Sequence, residues 1–269
     1  MPGTKSNKLL PLHNKTGNMS NKSNKKLLHN NKLLPIPVMG EKVEVIKNLD
    51  KDVGNWSETW HQPKNRSPGL FPHSFRLLSL GAPGKGKTNY LKHIFLKHQE
   101  TNKPFQRLIV VTCDLSSLEW SDCEPDLFLD RLPPLSLFAD PVKTCLIIDD
   151  YEFEKCGSEE LRKLTTLFRM ISSHKSVTIM ASYQSFFHTP TICRKTANVF
   201  LLYRPTSDNE LQTISNRVGV KYEDLKGMFK KYCKNFYDCL VIDMTKDTPY
   251  RIRHNVYNII DYDSDSDAE

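Results

Sequence analysis

Eight consecutive residues constrain this chain more than any other feature: Gly81-Ala82-Pro83-Gly84-Lys85-Gly86-Lys87-Thr88. They fit the pattern G-x-x-x-x-G-K-[ST] throughout. With average residue usage the pattern arises by chance in roughly one chain in a hundred of this length. An apolar run, Arg76–Leu80, precedes it, and a helical pattern over 87–98 follows. Strand, glycine-rich loop and helix in that order make an anion cradle. The glycines let backbone N–H groups converge without Cβ clashes, and the helix N-terminus adds positive potential. The eight residues and the following Asn89 are therefore the expected nucleotide contacts. Lys87 is expected to reach the β- and γ-phosphates, and Thr88 to give its hydroxyl to Mg²⁺. ATP and Mg²⁺ are the substrate and metal this loop implies.

The pattern around the loop is α/β. Short apolar runs at 76–80, 108–113, 144–149, 177–182 and 197–203 read as strands. Helical stretches at 87–98, 158–173 and 207–218 follow several of them. Continuous apolar runs alternating with helices indicate a mostly parallel sheet with helices on both faces. A further helix at 222–233, a strand at 237–244, a turn at 246–249 and a strand at 250–254 predict a C-terminal hairpin.

Two more motifs fall at the ends of expected strands. Cys145-Leu146-Ile147-Ile148-Asp149-Asp150 places four apolar residues before a pair of acids, the form of a Walker B element. Asp149 is expected to hold Mg²⁺, directly or through water. Asp150 is the expected base for the attacking water, a role that an NTPase hydrolysing on its own must fill. The run 178–184 ends in Gln184, which could hydrogen-bond that water or sense the loss of the γ-phosphate.

With these elements in order, the chain resembles the FtsK–HerA superfamily of DNA-pumping ATPases. Within it, the chain is most similar to the A32-like genome-packaging ATPases of large eukaryotic DNA viruses and their smaller relatives. The resemblance covers about 75–260, including the closing hairpin. It implies a RecA-like P-loop core with an additional strand between the two Walker strands. It also implies a homo-oligomeric ring, hexamer or pentamer, that drives double-stranded DNA into a capsid. Double-stranded DNA and capsid proteins are the partners it implies, and the virion or the host-cell cytoplasm or viral factory is the location. Gln184 matches the family's glutamine. Asp150 departs from the glutamate many members carry; one methylene shorter, it needs its water closer. An arginine finger is expected in such rings. The resemblance places it at Arg194; Arg204 is the second choice, and Arg169 and Arg217 are further candidates.

Charge divides the chain. The formal total over 269 residues is +7, and residues 1–40 alone hold seven lysines and no acid. The last nine residues carry five acids, which leaves 41–260 at +5. The expected organisation is a disordered basic Asn/Lys-rich tail over 1–40, an N-terminal extension over 41–74 with a strand at 42–46, the ATPase domain over 75–260, and an acidic tail over 261–269. Basic residues also cluster at 226–234, interleaved with Phe229 and Tyr232, either as a solvated helix face or as a DNA contact. The helix-poor stretch 114–141 is a candidate pore insertion, and its Trp120 serves as a core anchor just as well. No apolar run approaches the ~20 residues of a membrane span, and the lysine-rich start has no apolar core of a secretion signal. Seven scattered cysteines without a C-x-x-C pair exclude a disulfide framework and a zinc knuckle. A helicase or other DNA pump shares these motifs. A nucleotide kinase fits less well, because of Asp150 and Gln184.

Overall fold

The computed structural model describes residues 71–72, 74–102, 105–140, 142–153, 156–246 and 250–262. The basic tail, the strand expected at 42–46 and residues 263–269 lie outside the described residues. Among the described residues nine strands form one sheet: β1 (Arg76–Leu80), β2 (Arg107–Thr112), β3 (Leu127–Leu129), β4 (Thr144–Asp149), β5 (Val177–Tyr183), β6 (Val199–Tyr203), β7 (Cys239–Asp243), β8 (Ile252–His254) and β9 (Asn258–Ile259). Their order is β3-β2-β4-β5-β1-β6-β7-β8-β9. The first six in that order run parallel, and β7, β8 and β9 are antiparallel. The expected mostly parallel sheet with a closing hairpin is therefore present. β5 lies between β4 and β1, the additional strand of a RecA-like core.

The helices are α1 (Lys87–Asn102), α2 (Ser158–Thr166), α3 (Ser172–His174), α4 (Thr191–Thr196), α5 (Asp208–Val218) and α6 (Tyr222–Tyr232). A π-helical turn, Leu167–Ile171, joins α2 to α3, so the single helix expected over 158–173 carries a bulge. The short helix α4 was not legible, because six residues are too few to show a 3.6-residue period. The strand β3 was missed because three residues are too few to show an alternation of period two; it lies within the stretch 114–141.

Every residue of β4, β5, β6 and β7 is buried. With a side-chain period of two, this requires cover on both faces. Leu78, Ile109, Leu146, Ile179 and Phe200 share one cluster with Leu167, Ile214 and Phe229. Leu77, Val110, Ile147 and Met180 point the other way and are also fully buried, on the face that α1 covers. The helix α5 shows local punctuation at both ends. Ser207 accepts from the Glu210 N–H, and Gly219 closes the helix at φ 66°, a left-handed position that favours glycine.

The core reaches back to Phe71, which is fully buried. Its ring stacks on His98 and lies 4.8 Å from the Arg253 guanidinium. Arg253 in turn donates to Asp243 at 2.9 Å, with both side chains at 0% exposure. Removing one member of such a pair leaves a buried charge unbalanced. Arg253→Ala should cost about 3–5 kcal/mol, a fall in Tm of roughly 6–20 °C for a domain of this size. The double variant Arg253→Met, Asp243→Leu should recover most of that loss, as thermal denaturation would report.

Candidate active site

The sheet's carboxyl ends gather the motif residues at one level. Leu80 pairs with Tyr183, so Gly81 and Gln184 follow side by side. Ile148 pairs with Ala181, which sets Asp149 and Asp150 at the level of Ser182 and Tyr183. The Gly81 N–H donates to the Tyr183 carbonyl at 3.2 Å, tying the start of the loop to β5.

Three glycines of the loop have distinct jobs. A Cβ on Gly81 would lie 2.7 Å from Tyr203 Cβ, so only glycine lets the chain leave β1 over that ring. Gly84 and Gly86 sit at φ 75° and 84°, where any other residue is strained. The loop then enters α1, where Tyr90 N–H donates to the Gly86 carbonyl.

Lys87 is almost fully buried. Its ammonium donates to the carbonyls of Gly81 (3.0 Å) and Ala82 (3.3 Å). It lies 3.8 Å from Asp150 Oδ1. The Asp149 carboxylate accepts three hydrogen bonds: from Thr88 Oγ1 at 2.9 Å, Trp120 Nε1 at 3.1 Å and Ser182 Oγ at 2.6 Å. Thr88 gives its one proton to Asp149, which leaves its lone pairs for a cation. Among the described residues no group of three or more His, Cys, Asp or Glu could hold a metal. Mg²⁺ bound with a phosphate does not need one, since one hydroxyl and one carboxylate suffice beside phosphate oxygens and water. The donor set at Thr88 and Asp149 fits Mg²⁺.

Asp150 adopts φ 45°, a left-handed backbone that aspartate tolerates better than most residues. Its N–H donates to Ser182 Oγ at 2.8 Å, which holds the conformation. Burial raises the carboxyl's pKa above its ordinary 3.8; Lys87 opposes that shift and Asp149 adds to it. Asp150, Ser182, Gln184 and His188 line a cavity of about 180 Å³. The segment after Gln184 is fixed by the buried Glu210, whose carboxylate accepts from Ser185 Oγ at 2.9 Å and from the Phe186 N–H at 2.5 Å.

The structure thus brings Lys87, Thr88, Asp149, Asp150 and Gln184 together at one edge. Four contributors were missed. Trp120 was weighed only as a pore residue or a core anchor, yet it is 2% exposed and bonds the Walker B carboxylate. Lys92 on α1 holds its neighbours by bonding the Glu119 carbonyl and pairing with Asp122 at 2.6 Å. Ser182 and Glu210 carried no motif; only their place at a strand end and a helix start hinted at a role. The arginine candidates separate. Arg217 donates to the carbonyls of Arg194, Lys195 and Ala197, closing the end of α4. Its guanidinium thus braces the carboxyl end of α4. Arg194 donates to Thr191 Oγ1 at 3.1 Å, and its buried Nε has no hydrogen-bond partner among the described residues. Arg204 and Arg169 are exposed. In the basic cluster, Phe229 is core, Lys226 pairs with Asp208 at 3.2 Å, and Lys230, Lys231 and Lys234 face solvent.

Comparison with known proteins supplies the fold's relatives. No family model matches the chain, and no curated protein matches it. Among solved structures, the genome packaging NTPase B204 from Sulfolobus turreted icosahedral virus 2, in complex with sulfate, matches at 19% identity and a TM-score of 0.50. The match covers 71% of this chain and 99% of that one. The pCW3 conjugation coupling protein TcpA with ATPγS matches at 15% identity, 72% and 62% coverage, and a TM-score of 0.44. EccC from Thermomonospora curvata (ATPases 2 and 3) matches at 19% identity, 51% and 31% coverage, and a TM-score of 0.38. The fold is that of the RecA-like P-loop ATPases, and the resemblance read from the sequence holds at that level.

Two outcomes follow from this geometry. Trp120→Phe removes one hydrogen bond to a carboxylate, worth about 1.5–3 kcal/mol. The Mg²⁺ concentration for half-maximal nucleotide binding should rise on the order of tenfold or more. Asp150 is the opposite of a stabilising acid. With its folded pKa above the unfolded value, it favours the fold only when protonated, and that contribution is lost as pH rises through the folded value. At neutral pH Asp150→Asn should therefore leave Tm unchanged or higher, whereas a clear fall in Tm would contradict the upward shift.

Proposed function

We propose that this chain is an ATP-driven translocase that packages a double-stranded DNA viral genome into a capsid. The observation that carries the reading is the meeting of Lys87, Thr88, Asp149, Asp150 and Gln184 across β1, β4 and β5. The Walker B strand β4 leads into the acid Asp150, and the additional strand β5 beside it leads into Gln184, so both would stand beside the terminal phosphate. A kinase, which must keep water out, has no use for that pair. The fold shared with a viral genome-packaging NTPase supports the packaging role.

In this mechanism the loop 81–88 holds the β- and γ-phosphates, and Lys87 leaves the Gly81 and Ala82 carbonyls to meet them. Thr88 and Asp149 would hold Mg²⁺, which would supply charge neutralisation to the phosphates. Asp150 accepts the proton of the attacking water in the cavity beside Gln184. Its raised pKa makes it a stronger base than a free aspartate. Gln184 orients that water, and Glu210 fixes the backbone that follows it. Arg194 serves a neighbouring subunit as the finger that neutralises developing charge. One subunit can hydrolyse ATP, but gripping and advancing a duplex takes several, so the working form is a homo-oligomeric ring, hexamer or pentamer. Double-stranded DNA and capsid proteins are its partners, and the virion or the host-cell viral factory is its place. No helix among the described residues is long and apolar enough to cross a membrane.

Duplex DNA should stimulate ATP turnover by the wild-type protein. Lys87→Ala and Asp150→Asn should each lower that turnover by about 10²–10⁴-fold; near-normal rates in both variants would sink the assignment. Mixing wild-type with Arg194→Ala subunits should depress activity more than in proportion to the mutant fraction. Activity that tracks the wild-type fraction at every ratio would exclude a finger acting between subunits at that position.

A further inference from the structure

The turn between α6 and β7 carries two aromatic side chains that the hydrolytic chemistry leaves unused. Phe236 is 56% exposed and Tyr237 49%. The rings meet edge to face, with centroids 5.1 Å apart. Both lie against the phosphate loop. A Cβ on Gly86 would come within 3.5 Å of the Tyr237 ring. Lys85, at a variable position of the loop, donates to the Phe236 carbonyl at 3.2 Å, with its ammonium 3.6 Å from the Phe236 ring centroid. The turn itself is preformed. The Asp238 carboxylate accepts from the Asn235 N–H at 2.7 Å and from Asn255 Nδ2 at 3.0 Å. Two aromatic faces are thus held half in water by a hydrogen-bonded turn, next to an anion cradle.

Sheet order gives the direction of a bound nucleotide. Asp149, Asp150 and Gln184 stand at the ends of β4 and β5, on one side of β1. β6 and β7 lie on the other side. A nucleoside triphosphate whose terminal phosphate faces Asp150 extends its sugar and base away from β5, toward the start of β7. Phe236 and Tyr237 occupy that end.

We propose that Phe236 and Tyr237 form the nucleobase platform of this site, holding the base of the bound nucleotide by stacking. The proposal rests on the reading of 81–88 as the phosphate loop. Stacking on an aromatic face draws on ring area and not on the base edge. Lys85 ties the platform to the loop, so base and phosphate contacts form on one connected surface. The two residues act on binding and not on the chemical step.

Isothermal titration of the full chain with ATP and with inorganic tripolyphosphate, at fixed Mg²⁺, separates base from phosphate contacts. Phe236→Ala and Tyr237→Ala should each weaken ATP binding on the order of tenfold. Tripolyphosphate binding should stay unchanged, and Phe236→Tyr should keep wild-type ATP affinity. ATP affinity unchanged in both alanine variants overturns the proposal. So does an equal loss for ATP and tripolyphosphate, which would make the turn a prop for the loop. Lys87→Ala provides the separate check: if it binds tripolyphosphate as well as wild type does, the phosphate-loop reading fails, and the platform with it. Both aromatic positions are exposed, so the alanine variants should melt with the wild type, and tripolyphosphate affinity reports on any loop damage.

Discussion

The Asp149 carboxylate is the point on which this site depends. It accepts from a helix start (Thr88), a strand end (Ser182) and a loop (Trp120), so three segments far apart in sequence converge on two oxygens. A buried carboxylate held by three donors resists displacement, because each donor lost leaves a charge short of solvation. Under the proposed function the same carboxylate would help hold Mg²⁺. Thr88 and Asp149 thus link the phosphate loop by hydrogen bonds to β5 and to the segment around Trp120. The coupling is contiguous and short, and it runs through hydrogen bonds whose loss is costly in a low-dielectric pocket.

The adjoining acid is placed by a different device. Asp150 stands one residue beyond the strand in a left-handed conformation, pinned by the same Ser182 hydroxyl that donates to Asp149. One small side chain thus fixes both acids, accepting from one residue's backbone and donating to the other's carboxylate. A hydroxyl is suited to this because it both donates and accepts. Strain at such a position persists only where the surroundings over-determine it. Here the strand pairing on one side and Lys87 on the other do so.

Strong local signals made most of the fold legible in the sequence. Apolar runs at 144–149 and 177–182 could only be buried strands, and glycines at 81, 84 and 86 declared a loop that no other residues could follow. The resemblance added the strand between the Walker strands, which pairing in the structure reproduces. What stayed hidden was short or depended on distant partners. β3 and α4 are too brief for a period to show. Trp120 looked like a core residue or a pore residue, because nothing local ties an indole to a carboxylate 29 residues away. Glu210 carries no motif, yet its carboxylate supports the segment following Gln184. Nothing local shows that Arg217, a further finger candidate, holds three carbonyls at the end of α4. Local pattern reports periodicity and turn chemistry; which side chains meet is decided by strand order, which local pattern does not carry.

The sheet's two borders bear on how copies of this chain could assemble. Among the described residues it ends in β3, three residues long, and β9, two residues long. Borders so brief offer few free backbone groups to a neighbouring strand. Copies brought together would find little to gain by continuing one sheet into the next. Their contacts would fall to side chains on helices and loops, which can slide or rotate by small steps without unzipping a ladder. A joint of that kind can open and close with each nucleotide cycle, whereas a shared sheet would weld the subunits together.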